Sequence, residues 1–148
     1  MTLARIGLVA SLLALVTPAA AGTTVEDAHK QAVLEFYDLA LNHKDFAAAA
    51  KYLGPRYIQH NPNAADGIEG LKAFIELRRA QFPNAESQIK RAFAEGDFVI
   101  LHVQSIRTPG EGGAAIVDIF RLDNGKLVEP WDVVQPIPEQ AANANTMI

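Results

Sequence analysis

An α+β fold, three N-terminal helices laid on one face of a curved, mainly antiparallel sheet, is what this 148-residue sequence predicts. Apolar residues recur at helical spacing as far as residue 81, and from residue 86 the period falls to two. Turn signals at Glu95-Gly96-Asp97, at 109–113 (PGEGG) and at Asp123-Asn124-Gly125 then divide the second half into four strands.

Taken in order, Thr24 is placed to cap a first helix over about 25–43, with Asp27 three residues on in capping-box spacing. Val25, Ala28, Ala32, Val33, Phe36 and Ala40 form its apolar stripe. Asp45 caps a short second helix, FAAAAKYL, which Gly54-Pro55 ends. Tyr57 to His60 read as extended, because a residue before proline, here Asn61 before Pro62, is pushed out of the helical region. Asp66 and Glu69 form a start signal for a third helix over about 67–81, with Ile68, Leu71, Phe74 and Ile75 as its stripe. Four strands follow: ESQIKRAFAEGD, FVILHVQSIRT, AAIVDIFRLD and KLVEPWDVVQ. The residues after Pro136 are polar and rich in alanine, and 138–148 read as a flexible tail.

Residues 1–21 have the layout of a secretory signal peptide: Arg5, an apolar run from Ile6 to Val16, Pro18, then Ala19-Ala20-Ala21 before the expected cut. The run falls short of the roughly 20 residues that cross a bilayer, so the expectation is a secreted or periplasmic protein with no membrane segment after cleavage, folded as one domain over 22–137. A net charge of −4 without a run of Lys or Arg argues against a nucleic-acid partner. The absence of cysteine removes disulfides, thiol catalysis and thiolate metal sites.

The informative feature is Asp132, in the middle of a strand that otherwise reads as buried. Two registers are open for the last hairpin. A two-residue turn at Asn124-Gly125 sets Asp118 opposite Trp131; a three-residue loop with a bulge at Gly125 sets it opposite Pro130. The bulged register is favoured, because the other puts Glu129 beside Phe120 on the inner face. It gathers Ile116, Asp118, Phe120, Val128, Pro130, Asp132 and Val134 on one face, and Val117, Ile119, Arg121, Leu127, Glu129, Trp131 and Val133 on the other, with Arg121 and Glu129 diagonal neighbours. Two inward carboxylates need partners or a wet pocket.

The second strand offers a partner. Closing the 109–113 loop places His102 opposite Asp118, with Phe98, Ile100, Gln104 and Ile106 on the same face as His102. A histidine beside one carboxylate and near another is material for general acid–base chemistry. Two structural alternatives stand: His102 and Asp118 satisfy each other in a core, or the strand turns Val99, Leu101, Val103, Ser105 and Arg107 inward instead.

The segments YIQHNPNAADGIEGLKAFI (57–75), FVILHVQS (98–105) and IVDIFRLDNGKLVEPWDVVQ (116–135) together resemble the SnoaL-like polyketide cyclases of the NTF2-like superfamily, over about residues 25–137. Each piece is weak alone and fairly specific in the set. The resemblance implies an NTF2-like cone-shaped barrel with a deep interior cavity, and a homodimer formed through the outer sheet face. It matches His60, His102, Asp118 and the Trp131-Asp132 pair to family positions. Many relatives read E-H-W-D where this chain reads E-P-W-D, so Pro130 replaces an acid–base group and suggests an edge strand or a bulge.

The candidate catalytic residues are therefore Asp118, Asp132, His102 and His60, with no cofactor and no metal. Phe36, Tyr57, Phe74 and Ile100 are expected to line the cavity, together with Gln104, Ile116, Phe120 and Val134. Arg121 and Trp131 are expected at a dimer interface. Tyr37 and Tyr57 could donate to an oxyanion, but packing is the simpler role for both. His29 and His43 are expected to do no more than face solvent or complement the end of the first helix. The resemblance implies acid–base chemistry on a small apolar carbonyl compound, of aldol-cyclase or isomerase type. A periplasmic protein that only binds such a ligand, and an interaction subunit with a filled cavity, are the alternatives.

Overall fold

The computed structural model describes residues 23–148; the expected signal peptide lies outside them. The elements are α1 (Val25–Tyr37) continued by a wider π turn (Asp38–Asn42), α2 (Phe46–Ala49) continued by a 3₁₀ turn (Ala50–Tyr52), α3 (Gly67–Gln81), and strands β1 (Glu86–Glu95), β2 (Phe98–Ile106), β3 (Ala114–Asp123) and β4 (Lys126–Pro136). The strands form one antiparallel sheet in the order β1-β2-β3-β4. The sheet does not close on itself as a barrel, and the helices cover its inner face.

The helix starts follow local chemistry. Thr24 and Asp27 make the reciprocal capping box, and the Asp45 carboxylate accepts from the Ala48 amide. Asp66 departs from expectation: it makes no side-chain cap on α3, and its carboxylate accepts from the Gln59 amide at 2.8 Å, tying the extended link to the helix start. His29 also departs. It is buried on α1 and its ring hydrogen-bonds the Gly96 carbonyl at 3.0 Å, fastening the helix to the β1–β2 turn.

The core lies between the helices and the inner face of the sheet. Val33, Phe36, Ile75, Val99, Leu101, Val103, Leu122 and Leu127 are fully buried there, and Phe36 and Tyr37 both meet Phe120 edge-on. Each such side chain contributes roughly 1.5–3 kcal/mol on burial.

The β3–β4 hairpin differs from both predicted registers. Asn124 (φ 50°) and Gly125 (φ 73°) form a two-residue turn with Asp123 paired to Lys126. Positive φ at both central positions is what a type I′ turn requires, hence Asn-Gly. The bulge sits one step later, where Val128 is the extra residue between the Leu122–Leu127 and Arg121–Glu129 pairs. Two consecutive buried residues, Leu127 and Val128, are its signature. Beyond it the register is shifted by two residues from the favoured prediction, so the faces are those predicted while every partner changes: Asp118 now faces Asp132, and Arg121 faces Glu129 directly.

β4 is an outer strand, as Pro130 suggested. Its free side is covered by the link after α2, where the Gly54, Ile58 and His60 amides donate to the Leu127, Val128 and Pro130 carbonyls. A strand residue points its nitrogen and its carbonyl to the same side, so the donor that Pro130 lacks faces this link and not β3. A β-carbon on Gly54 would come within 2.6 Å of Val128, which explains a glycine where the link closes onto the bulge. Residues 137–148 form no helix or strand.

Candidate active site

Strand alternation turns Ile116, Asp118 and Phe120 of β3 and Pro130, Asp132 and Val134 of β4 toward the helices, where they wall a cavity of about 440 Å³. α1 supplies Phe36 and Tyr37, α3 supplies Leu71, Phe74 and Arg78, and the extended link supplies Tyr57, Gln59 and Asn61. The result is a largely apolar chamber with a pair of directly opposed carboxylates in its sheet wall, the usual make-up of a small-molecule site.

Each carboxylate has one fixed donor. The Tyr37 hydroxyl donates to Asp118 Oδ2 at 2.8 Å, and the Asn61 side-chain amide donates to Asp132 Oδ2 at 2.6 Å. Burial pushes the Asp118 carboxyl up to about 7; the Tyr37 hydrogen bond opposes this and the charge of Asp132 adds to it. Burial, reinforced by the neighbouring Asp118, raises Tyr37 well above the ordinary phenol range, and Tyr57 is raised by burial and by both aspartates. Both phenols therefore stay protonated as donors near neutral pH. Asp118 titrates within the neutral range, where a carboxyl serves equally as acid or as base.

Several expected site residues lie elsewhere. His102 pairs with Val117 and Leu101 with Asp118, so β2 turns Val99, Leu101, Val103 and Ser105 inward and His102 outward. The His102 ring accepts from Arg91 at 2.7 Å on the outer face. Ile100 and Gln104 share that face and do not line the cavity. His60 also leaves the site: it stacks on Trp131 with ring centroids 4.6 Å apart and donates to Glu129 at 2.8 Å. The other six expected lining residues, Phe36, Tyr57, Phe74, Ile116, Phe120 and Val134, do border the cavity.

Trp131 borders the chamber too, but its ring faces away, packed between His60 and Phe98. Arg121 makes an ion pair with Glu129 at 2.8 Å beside it. Burdened by neither cavity nor core, the outer face exposes Phe93, Phe98, Ile100, Val117 and Val133.

Among the polar residues of the cavity, Asn61 and Arg78 were not singled out from the sequence, and Tyr37 was given packing as its simpler role. Alternation in the extended link carries the signal for one of them, since Tyr57, Gln59 and Asn61 share a side and His60 takes the other. Arg78 continues the Leu71, Phe74, Ile75 stripe of α3 at helical spacing, so it faces inward with them. Tyr37 follows Phe36 at the end of α1, and its inward direction is set by the long-range contact with β3. No group of three or more histidine or acidic residues placed to hold a metal ion occurs among the described residues. No helix among them is long and apolar enough to cross a membrane.

The fold recurs in known proteins. TsrD from Streptomyces laurentii superposes with a TM-score of 0.62 at 23% identity, over 75% of this chain and 91% of that one. A putative polyketide cyclase from Bacillus cereus ATCC 10987 gives 0.63 at 20% identity, over 73% and 74%. A putative SnoaL-like polyketide cyclase from Jannaschia sp. CCS1 gives 0.62 at 21% identity, over 78% and 91%. No curated protein matches the chain. At these identities the structural likeness concerns the fold. The family model for the SnoaL-like domain, however, matches residues 33–129, from the middle of α1 through the bulge of β4, and the chain belongs to that family.

Proposed function

We propose that the chain is an exported, cofactor-independent acid–base enzyme that moves a proton at a carbon next to a carbonyl, in a reaction of aldol-cyclase or isomerase type. The observation that carries this reading is the opposed pair Asp118 and Asp132 in the wall of a closed-in apolar chamber. In its ionised form Asp118 accepts the proton from the carbon. The enolate oxygen that forms is met by a phenol donor, for which buried Tyr57 is suited because it stays protonated. The proton that Asp118 has taken is the one it hands back, and Asp132, oriented by Asn61, is placed to fix a second polar group of the substrate. Membership of the SnoaL-like family and the polyketide cyclases among its structural neighbours support a reaction of this class.

The test is solvent exchange. A panel of cyclic ketones and β-diketones incubated in D₂O should gain deuterium next to the carbonyl. Asp118→Asn or Asp132→Asn should slow this by about 10²–10⁴-fold, the usual contribution of a positioned acid or base. Exchange at the wild-type rate in both variants removes the pair from the mechanism.

One observation favours a second reading. Pro130 stands in the cavity wall at the position where the E-P-W-D segment departs from the histidine that the resemblance implies, which fits a protein that only holds a small apolar carbonyl ligand. Ketone binding without any exchange would select it.

We also propose a homodimer through the outer sheet face, with Trp131 and Arg121 in the interface. Phe93 and Val133 there are 60% and 69% exposed, and contiguous apolar surface of this kind on a sheet marks an association site.

A further inference from the structure

The guanidinium of Arg78 is the unexplained group of the chamber. Arg78 projects from α3 into the cavity wall and is only 7% exposed. Its Nε and Nη2 are buried without any hydrogen-bond partner, and Ser87 Oγ, on the β1 side of the same cavity, makes no close hydrogen bond and has the Tyr37 phenol as its polar neighbour. The carboxylates that border the cavity are Asp118, Asp132 and Glu111; among the described residues, none makes an ion pair with Arg78. Asp118 is instead held by Tyr37, and Asp132 by Asn61.

The neighbouring charges deepen the imbalance. Burial weakens the hold of Arg78 on its proton, Tyr37 opposes this and the nearby Arg107 adds to it, while burial and then the charge of Arg78 lower Lys44. Lys44 is itself buried, with its ammonium donating to the Asn42 and Ala85 carbonyls. Three cations thus gather at the α3–β1 end of the chamber. An unpaired buried charge is costly, and a guanidinium presents a planar fork of donors matched to a carboxylate.

We propose that Arg78 and Ser87 form an anion subsite, and that the compound taken up is a carbonyl compound bearing a carboxylate: an oxo acid whose carboxylate pairs with Arg78 while the carbon next to its carbonyl lies against Asp118. Tyr37 joins the two ends, since its hydroxyl bonds Asp118 and is coupled electrostatically to Arg78. This assignment rests on the chamber being the binding site of the proposed reaction, and it names the substrate class of that site.

Calorimetric binding of 4-oxo-4-phenylbutanoate and of its methyl ester to the wild-type protein tests it. The phenyl group suits the apolar wall in both, and the pair differs in charge and by one methyl group. The acid should bind at least about tenfold more tightly than the ester, the scale of a charge-assisted pair. In Arg78→Met the acid should fall to the level of the ester, and Arg78→Lys should recover part of the difference; melting curves check that both variants fold. An ester that binds as well as the acid, or failure of both to bind the wild type, overturns the proposal. Binding needs no turnover, so an acid preference that persists in Asp118→Asn keeps the subsite even if the exchange assay rules out catalysis.

Discussion

Replacing Asp118 by Asn should make the protein more stable at pH 8 while slowing any reaction that it catalyses. The Asp118 carboxyl, ordinarily near 3.8, stands at about 7 in the folded chain, chiefly through burial. Between these two values the unfolded chain has released the proton and the folded chain still holds it. Stability therefore falls as pH rises through this window, by about 1.4 kcal/mol per pH unit, and is flat above it. The full span amounts to roughly 4 kcal/mol, an upper bound because the cavity admits water to a group that is only partly covered. Asparagine keeps the shape and an acceptor for the Tyr37 hydroxyl, and carries no charge to desolvate. Urea unfolding of both proteins at pH 4.5, 6 and 8 reads the term together with the coupling to Asp132, since titrating groups that do not interact with Asp118 cancel in the difference. Asp118→Asn should gain on the wild type as pH rises, by about 2–4 kcal/mol at pH 8. A difference that does not vary with pH, or a variant that loses stability at pH 8, would refute the reasoning.

Other consequences can be checked alongside. Tyr37→Phe removes the hydrogen bond that holds Asp118 down, so the pH at which exchange activity rises should move upward from about 7; an unmoved profile would detach Tyr37 from Asp118. Leu101→Ala opens a hole in the fully buried β2 face and should cost about 2–5 kcal/mol in denaturant unfolding, whereas Ile100→Ala, one residue away on the outer face, should cost far less. Ile100→Asp together with Val117→Asp places charge on the outer face of the two central strands and should convert a dimer to a monomer in light scattering with the melting temperature little changed. N-terminal sequencing of the exported protein should begin at Gly22 if residues 1–21 are removed as their layout suggests.

How much of this could be read beforehand depends on what each segment encodes locally. The helix starts at Thr24 and Asp45 and the span of α3 were legible because caps and stripes act within a few residues. In the β3–β4 hairpin the inner and outer sets were correct beyond the bulge although the pairing was off by two, because an even slip leaves faces unchanged; Leu127, expected on the outer face, precedes the bulge, pairs with Leu122 and is buried in the core instead. The bulge at Val128 has no marker of its own; it is fixed by Gly54 and Ile58 closing onto β4. β2 is the opposite case. Both of its faces are apolar enough to be buried, so only the count through the 107–113 connection decides the phase, and a one-residue difference sent His102 outward. His60 left the site through the same arithmetic, and Asn61 took its place. Arg78 was hidden by its residue type, since an arginine in an apolar stripe reads as a stray surface charge until the cavity behind it is seen.

The most direct measurement is a ¹³C NMR titration of the Asp118 carboxyl, assigned with Asp118→Asn and repeated in Asp132→Asn. The account predicts a midpoint near 7 in the wild type and a lower one once the facing charge is removed. A midpoint in the ordinary carboxylate range, unmoved by Asp132→Asn, would mean that Asp118 is solvated and that the opposed pair is not an acid–base centre.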